Sequence, residues 1–423
     1  MHQEPEYNIN RQGTASTRTT RSLHPLQMLR FLFPERVVPT ALLTCTCLLW
    51  APGQDSQAGG NVVVWGANFL GQTNMPAGLT NVIAIAAGEY HSLALKADGS
   101  VVEWGFVLSF YPNTVKEMPA GLSGVIAISC GGGHCLALQA DGTVVTWGDN
   151  SFGQLDGQPV GLSNAVAISG GGTHNLALLP DGTVAAWGDN SHGQTDVPVG
   201  LTNVAALAAG GAQSLALKTD GTVAAWGSYW DGKEWLPLAV PEPLTNVTAV
   251  ACGEDHGLAL VTDGTVLAWG RFANGSDAAA SMPSGLTNVV AISCGCSQAA
   301  ALLADGTLVT WGIDGRFQSV QGSIPPGVTN VSAAAIGNSY MVAVVGDSPV
   351  QTREPLLNPT WSGGVFRFTI STRSGRVYQL QYCDSLDCAN WTPLPLVAGS
   401  GGLQSMADCT AITPRRIYRV RRL

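Results

Sequence analysis

The sequence predicts an all-β fold, a seven-bladed β-propeller over residues 59–347 that is followed by a small C-terminal β-sandwich. Three observations support this prediction. Glycine is abundant at 52 residues while charged residues make up only 12%, which is typical of short strands joined by tight turns. A strand that ends in Trp-Gly recurs about every 40 residues, the period of a propeller blade. The two ends of the repeat region each carry part of one unit.

The repeat unit is recognised by its Trp-Gly pair and by an Asp-Gly pair six residues earlier. Asp-Gly between two alternating apolar runs predicts a β-hairpin, because glycine adopts positive φ without steric cost. A further apolar run precedes each hairpin, so every unit holds several strands. The Trp-Gly tryptophans are Trp65, Trp104, Trp147, Trp187, Trp226, Trp269 and Trp311. All but the first follow an Asp-Gly, at Asp98, Asp141, Asp181, Asp220, Asp263 and Asp305.

The incomplete units at the two ends predict that the propeller is closed. Residues 62–66, Val-Val-Val-Trp-Gly, have no front half before them, and residues 330–345 form a front half with no Trp-Gly strand after it. The first strand is therefore expected to complete the last blade. Closure of this kind removes exposed sheet edges, and an open solenoid would need no split unit. Six full units and one split unit give seven blades.

The unit G-L-T-N-V-x-A-I-x-x-G-x-x-H-x-L-A-L-x-x-D-G-T-V-x-x-W-G resembles the regulator-of-chromosome-condensation repeat. This resemblance implies the seven-bladed fold but does not specify a function. The eukaryotic namesake of the family is a nuclear exchange factor for a small GTPase and also binds chromatin. Secreted bacterial propellers of this repeat class include inhibitors of β-lactamases. The predicted export signal and the acidic repeat region make the chain more similar to the exported bacterial type.

Residues 1–58 are predicted to be an N-terminal extension that contains a signal peptide. The apolar run at residues 37–51 is too short to span a membrane comfortably, and Ser56-Gln57-Ala58 after it resembles a cleavage site. The polar residues before Met28 do not resemble the start of a signal peptide, so we expect translation to begin at Met28. The predicted location is secreted or cell-surface, with the periplasm as an alternative. A lipid anchor at Cys45 is a weaker match.

After a linker at residues 348–355, residues 356–423 are predicted to form a separate β-sandwich. The segments 375–381, 390–394 and 416–420 resemble the small modules that end many exported bacterial repeat proteins. Such a module serves either as an attachment or sorting unit or as a stabilising cap, and the sequence leaves both open. Cysteines in an exported protein favour disulfides. The candidates are Cys383 and Cys388, with Cys409 as an alternative partner.

The charge distribution argues against nucleic acid as a partner. Residues 59–348 carry 6 basic and 21 acidic groups, which sum to −15, whereas residues 349–423 carry 9 arginines and 4 acids. Phosphate binding requires clustered lysine and arginine, and an acidic body does not supply it. We therefore predict no nucleic-acid binding, no membrane span and a monomer.

The histidines and most cysteines of the repeat region are predicted to be structural. Four histidines stand seven residues before an Asp-Gly, one to a blade, so the set is spread around the ring and is not expected to meet at one ion. Three cysteines occupy a small-residue core position in their units. We predict no metal, no cofactor and no catalytic residue. These four histidines are His91, His134, His174 and His256, and the three cysteines are Cys130, Cys252 and Cys294.

Two Asp-Asn-Ser segments, at Asp149 and Asp189, are predicted to be turns rather than calcium sites, since all three residue types bond their own backbone in turns. A catalytic alternative, a polysaccharide lyase or hydrolase, would need inward-facing carboxylates at one end of the central channel. The repeat provides no recurrent acid outside turn positions. The enzyme hypothesis is therefore weaker than a binding function.

The loops that follow Trp-Gly carry nearly all the length variation and an excess of aromatic residues, so they are expected to form a binding face. Residues 228–235, with two additional tryptophans, are the leading candidate. Phe69 and Phe152, in short loops, are predicted to pack between blades. The predicted partner-binding residues are Phe106, Phe110, Tyr111, Tyr229, Trp230, Asp231, Trp235, Phe272 and Phe317.

From these features we predict an exported, non-enzymatic protein that binds a protein partner through the face with the insertions. Aromatic and acidic groups together suit a basic or mixed protein surface. Glycan binding is an alternative, because tryptophan also stacks on sugars. An exchange-factor-like regulator is a further alternative that rests on the family resemblance alone.

Overall fold

The computed structural model describes residues 61–107, 115–231, 233–238, 240–241, 244–313 and 323–345, and the backbone of six strands between residues 357 and 422. Every regular element among these residues is a β-strand. None of the described residues forms a helix long and apolar enough to cross a membrane. The predicted signal peptide, its start at Met28 and the predicted linker lie outside the described residues.

Seven antiparallel sheets form blades 1 to 7 in chain order. Their first strands are β2 (Val82–Ala87), β5 (Val125–Cys130), β8 (Ala167–Gly170), β11 (Val204–Ala209), β15 (Val247–Cys252), β18 (Val289–Cys294) and β21 (Val331–Ile336). Their second strands are β3 (His91–Lys96), β6 (His134–Gln139), β9 (His174–Leu178), β12 (Gln213–Lys218), β16 (His256–Val261), β19 (Gln298–Leu303) and β22 (Tyr340–Val345).

The third strands are β4 (Val101–Gly105), β7 (Val144–Gly148), β10 (Val184–Gly188), β13 (Val223–Trp230), β17 (Val266–Gly270), β20 (Leu308–Gly312) and, in blade 7, β1 (Asn61–Gly66). Blade 4 has a fourth strand, β14 (Trp235–Pro237), which pairs with the extended end of β13. The seven blades and their strand order confirm the predicted propeller.

The N-terminal strand completes blade 7, as the split repeat predicts. β1 pairs antiparallel with β22 in a register that runs from Asn61↔Val345 to Gly66↔Tyr340. The first strands of successive blades contact one another around the ring, and β2 of blade 1 contacts β21 of blade 7. Because the last blade borrows its outer strand from the start of the chain, the ring is joined by sheet hydrogen bonds.

The hydrophobic core lies between neighbouring blades. Leu93 in blade 1 and Ile128 and Trp147 in blade 2 belong to one buried cluster, and other clusters join further blades in the same way. Alanine, valine and leucine dominate the first two strands, so adjacent sheets approach closely on both faces. Full burial of a leucine contributes about 1.5–3 kcal/mol, which makes these interfaces the main source of stability.

In blades 2, 3 and 4, the side chain seven residues before the Asp-Gly links its blade to the next one. His134 Nε2 lies 2.8 Å from Asn175 Oδ1, and His174 Nε2 lies 3.0 Å from Ser214 Oγ. In blade 4 the same position is Gln213, whose Nε2 donates to a backbone carbonyl of blade 5 at 2.8 Å. These bonds satisfy buried polar groups across blade interfaces, which is the structural role predicted for this position.

The C-terminal part contains two antiparallel three-stranded sheets. One has the order β23 (Leu357–Ser362), β24 (Val365–Ser371), β27 (Leu403–Asp408), and the other β26 (Thr392–Ala398), β25 (Val377–Cys383), β28 (Ile417–Arg422). Two sheets are what the predicted β-sandwich requires. The sulfur positions of the predicted disulfide cysteines lie outside the description.

Candidate functional site

The loops that follow Trp-Gly emerge on the same face as the turns between first and second strands. The first residue after each Trp-Gly bonds to such a turn in its own blade: Phe106 N donates to Tyr90 O at 2.8 Å, and Ser228 N donates to Ala212 O at 2.9 Å. We call this side the insertion face, formed by the seven inner turns and the seven post-Trp-Gly loops. The Asp-Gly turns lie at the other end of the strands.

The inner turns of all seven blades surround a central cavity of about 90 Å³. A glycine begins each turn, and the turns are joined from blade to blade by backbone hydrogen bonds, for example Gly172 N to Gly210 O at 2.8 Å and Gly211 N to Gly253 O at 3.0 Å. A Cβ on Gly171 would lie 2.6 Å from Gly210 O. Glycine is required there because the backbones of adjacent turns approach too closely for a side chain.

Two carboxylates, Glu89 of blade 1 and Glu254 of blade 5, line this cavity. Partial burial raises the pKa of Glu89, although the nearby His91 opposes the rise. Glu254 is an exposed side chain at the mouth of the cavity, but the surrounding turns displace water from part of its carboxyl group and raise its pKa to about 7, with the charges of Asp255 and Glu89 acting in the same direction. The central mouth therefore carries acidic groups that are costly to ionise.

Sequence reasoning missed this acidic mouth, although a signal was available. The position after the first turn glycine holds glycine in three blades and acids in two, so an alignment of the seven units shows the exception. The residues at this position are Glu89, Gly132, Gly172, Gly211, Glu254, Cys296 and Asn338. The regular histidine and Trp-Gly positions are the most prominent features of the repeat, so the variation at this turn position is easily overlooked.

The strongest exposed feature of the insertion face is the tryptophan hairpin, residues 228–237 of blade 4. Trp230 and Trp235 pair across the hairpin and are 40% and 44% exposed, with ring centroids 5.8 Å apart. Asp231 Oδ1 accepts the backbone N–H groups of Lys233 and Glu234, both at 2.8 Å, and this closes the turn. The hairpin thus presents two large aromatic groups on an ordered scaffold.

The neighbouring loops hold the tryptophan hairpin in place. His192, in the loop after blade 3, stacks on Trp235 with centroids 3.7 Å apart and an interplanar angle of 23°. On the other side, Trp230 N donates to Asp255 Oδ1 at 2.7 Å, in the inner turn of blade 5. Burial raises the pKa of Asp255 and this hydrogen bond opposes the rise. The hairpin therefore spans three blades beside the acidic mouth.

Of the predicted partner-binding residues, the structure brings Tyr229, Trp230, Asp231 and Trp235 together on the tryptophan hairpin. Phe106 lies on another loop of the same face and is 51% exposed. Phe110, Tyr111 and Phe317 lie outside the described residues.

Phe272 was wrongly included among the partner-binding residues, because its side chain is only 2% exposed. Its loop folds back on itself. The backbones of Arg271 and Asp277 form an antiparallel β-bridge, and Phe272 N donates to Ser276 O at 2.9 Å. The ring consequently packs edge-on against His256 with centroids 4.7 Å apart.

The expectation that Phe69 and Phe152 pack between blades is also wrong, since they are 68% and 44% exposed. A buried glutamine takes the interior position of each short loop. Gln72 Oε1 accepts from Leu70 N and Gln154 Oε1 accepts from Phe152 N, both at 2.8 Å. The amide satisfies the loop backbone from inside, so the phenyl ring is left on the outside.

The two Asp-Asn-Ser segments form turns, as predicted. Asp149 Oδ1 accepts from Ser151 N at 3.1 Å and Asp149 Oδ2 accepts from Gln154 Nε2 at 3.1 Å. Asp189 Oδ1 accepts from Ser191 N at 3.0 Å. These carboxylates are used by donors of their own loops, which is the ordinary geometry of an Asx turn.

Comparison with known proteins agrees with this geometry. Residues 82–106, 125–154, 165–194 and 247–276 match the model of the Regulator of chromosome condensation (RCC1) repeat. Four blades of the propeller carry the RCC1 repeat. Each matched stretch contains a Trp-Gly strand of this RCC1-repeat propeller and at least the first residue of the loop that follows the strand. No curated protein matches the sequence of the chain.

Solved structures show the same fold. Prp20p from Saccharomyces cerevisiae, described with its binding to Gsp1p and histones, is 17% identical with a TM-score of 0.54, covering 70% of this chain and 93% of Prp20p. A second structure of the yeast protein, with Kap60 bound, is 16% identical with a TM-score of 0.54, and the match covers 78% of this chain and 97% of the yeast chain. Human WBSCR16 is 22% identical with a TM-score of 0.51, and the match covers 68% of this chain and 100% of WBSCR16. At such identities the likeness concerns the fold alone.

Proposed function

We propose that this RCC1-repeat propeller is an exported, non-enzymatic binding protein that holds a protein partner on its insertion face. The observation that carries the proposal is the tryptophan hairpin, in which Trp230 and Trp235 are exposed yet fixed by His192 and Asp255. Exposed, preorganised aromatic side chains bury large areas at low entropic cost, and tryptophan is enriched among the residues that dominate interface energies. The yeast relative also binds proteins.

The charge of the insertion face favours a basic or mixed partner surface. Glu89, Glu254 and Asp255 line or flank the central mouth beside the hairpin, and residues 59–348 carry a formal charge of −15. An acidic concave surface accelerates encounter with a cationic partner and contributes to specificity. Because long-range attraction is screened by salt, the association rate is expected to fall as ionic strength rises.

The acidic mouth does not favour an enzyme over a binding protein. Glu89 and Glu254 both lie in inner turns around a cavity of about 90 Å³. Ligand pockets usually enclose about 300–1,000 Å³, so this cavity is small for a polysaccharide substrate.

Affinity capture with paired variants tests the binding site. The full chain is immobilised and exposed to secreted and surface proteins of the native source, and bound proteins are quantified by mass spectrometry. Trp230→Ala together with Trp235→Ala is expected to weaken a specific partner by about 100-fold or more. Phe69→Ala is the matched control, because it removes an exposed aromatic ring from a loop of the same face. Equal retention by wild type and the double variant would place the interface elsewhere.

Two further measurements separate the alternatives. The mature N-terminus, read by mass spectrometry of fractionated cells, is expected near Gly59 in an exported fraction, whereas a cytosolic product that keeps Met28 would favour a regulator of GTPases. If no protein is captured, and if the chain binds a glycan array but the double tryptophan variant does not, the ligand is a glycan instead of a protein.

A further inference from the structure

The interface between blades 1 and 2 brings together three metal-ligand side chains from three strands. They are His91 on β3, Cys130 on β5 and Cys135 on β6, and their ligand atoms all lie within 4.8 Å of one another. All three are buried, with exposures of 1%, 0% and 0%. Cys130 and Cys135 are direct partners across the β5–β6 pair, so their side chains project to the same side of the sheet.

His91 differs from two other histidines of its repeat position. The Nε2 atoms of His134 and His174 bond to oxygen atoms of the next blade, whereas the ring of His91 lies beside the Cys130 thiol and neither of its nitrogens bonds to a nitrogen or oxygen atom among the described residues. A thiol is only a weak hydrogen-bond partner for a buried imidazole. A metal ion, which accepts the lone pair of a neutral imidazole, would be a stronger partner.

Glu103, in the middle of β4, supplies a carboxylate beside this cluster. Its Oε1 atom lies 3.6 Å from Cys135 Sγ, and its Oε2 atom accepts from Trp147 Nε1 at 3.1 Å. The bond from Trp147 fixes the carboxylate, as outer-shell partners orient metal ligands in known sites. Glu103 is only partly buried, so a metal ion could reach the buried cluster from solvent on the side of this residue.

We propose that His91, Cys130, Cys135 and Glu103 form a binding site for a zinc-class divalent cation between blades 1 and 2. Two thiolates, one imidazole and one carboxylate make a four-ligand set suited to tetrahedral Zn²⁺, whereas Mg²⁺ and Ca²⁺ prefer oxygen ligands alone. Bond lengths of about 2.0–2.3 Å place tetrahedral ligand atoms roughly 3.5 Å apart. The Cys135 Sγ–Glu103 Oε1 distance of 3.6 Å is already close to that value, and the ligand atoms of His91, Cys130 and Cys135 lie within 4.8 Å of one another.

Blades 5 and 6 contain a natural comparison. His256 and Cys294 occupy the repeat positions of His91 and Cys130, but Ala299 faces Cys294 across its strand pair, where Cys135 faces Cys130. Ala268 precedes Trp269 where Glu103 precedes Trp104. This interface has two of the four ligand types, so it is not expected to hold a metal. Sequence spacing alone does not predict the site, because its ligands come from two blades.

Cobalt titration tests the proposal. The reduced, full-length protein is titrated with Co²⁺, whose bonds to thiolate sulfur produce a near-ultraviolet charge-transfer band, and metal content is measured after Zn²⁺ loading and dialysis. About one ion per chain is expected, together with the band and a raised melting temperature. Cys135→Ala introduces the residue found at Ala299 and should fold; it is expected to weaken binding by more than about 100-fold. Cys294→Ala should leave binding unchanged.

Three outcomes would overturn the proposal. The first is absence of the charge-transfer band in the reduced wild-type protein. The second is equal Co²⁺ affinity of the Cys135→Ala variant, with circular dichroism showing that the variant is folded. The third is a native protein whose mass and resistance to alkylation show a Cys130–Cys135 disulfide, because bonded sulfurs cannot act as thiolate ligands.

Discussion

His192 and Trp235 stack on each other with ring centroids 3.7 Å apart, although they belong to the loops of two different blades. The stack covers one face of Trp235 while the side chain remains 44% exposed. Neighbouring loops of the insertion face therefore support each other, and the position of the tryptophan hairpin depends on a residue outside it.

His192→Ala is expected to loosen the tryptophan hairpin without unfolding the propeller. Aromatic pairs contribute about 0.5–1.5 kcal/mol beyond burial, and this pair lies at the surface, so the global loss should be at the low end of that range. In protein labelled with 5-fluorotryptophan, the ¹⁹F resonance of Trp235, assigned with Trp235→Phe, should shift and sharpen. An unchanged resonance would mean that the stack does not persist in solution.

Glu254→Gln is expected to stabilise the propeller above neutral pH but not in acid. The pKa of Glu254 in the folded protein, about 7, lies above its ordinary value of 4.5, so the folded state binds more protons between these values and stability falls as pH rises through them. Glutamine removes that loss. The melting temperature should rise by about 2 °C near pH 8 and change little near pH 5.

The matched control for Glu254→Gln is Glu117→Gln. Glu117 is an exposed acid of the insertion face, and its replacement removes the same formal charge. Equal stabilisation by both variants would assign the effect to net charge instead of the central mouth.

Gly171→Ala should destabilise the propeller far more than Gly161→Ala. A Cβ at Gly171 would lie 2.6 Å from Gly210 O in the next blade, whereas a Cβ at Gly161 meets nothing within 4 Å, although its φ is +84°. We expect a loss of about 3 kcal/mol or more at Gly171, against about 1 kcal/mol for the backbone strain at Gly161. Denaturant unfolding of both variants measures the difference, and similar losses would contradict the close approach of the inner turns.

Calcium should have no effect on the propeller. Asp149 and Asp189 are occupied by donors from their own loops. Addition of Ca²⁺ or of the calcium chelator EGTA is expected to leave the melting temperature within about 1 °C, because only a ligand that binds the folded state shifts it. A calcium-dependent rise that Asp189→Asn abolishes would identify a site in that loop.

The fold was predictable because the same sequence signals for a blade occur in seven repeat units. Each Trp-Gly strand, Asp-Gly turn and histidine position is a local signal, and the split unit at the two ends predicts the pairing of Asn61 with Val345. Periodicity averages out the ambiguity of any single strand.

The errors fell where a loop departs from the repeat. The burial of Phe272 depends on a backbone turn closed by Ser276, and the exposure of Phe69 depends on Gln72 filling the space beneath it. Neither arrangement follows from residue type or spacing. The acidic mouth and the His91–Cys130–Cys135 cluster depend on contacts between blades, which become visible only after the ring is assembled.

The pairing of β1 with β22 also sets the order in which the molecule can be finished. The ribosome produces Asn61 in the first strand of the propeller, whereas its partner Val345 lies in the last propeller strand to be made. β1 must therefore wait without its sheet neighbour while six blades form. Pairings between such distant residues are slow because a long loop must close first. Completion of the ring must consequently follow the synthesis of blade 7, and a chain interrupted before blade 7 would retain an unpaired apolar strand open to chaperones or to another copy.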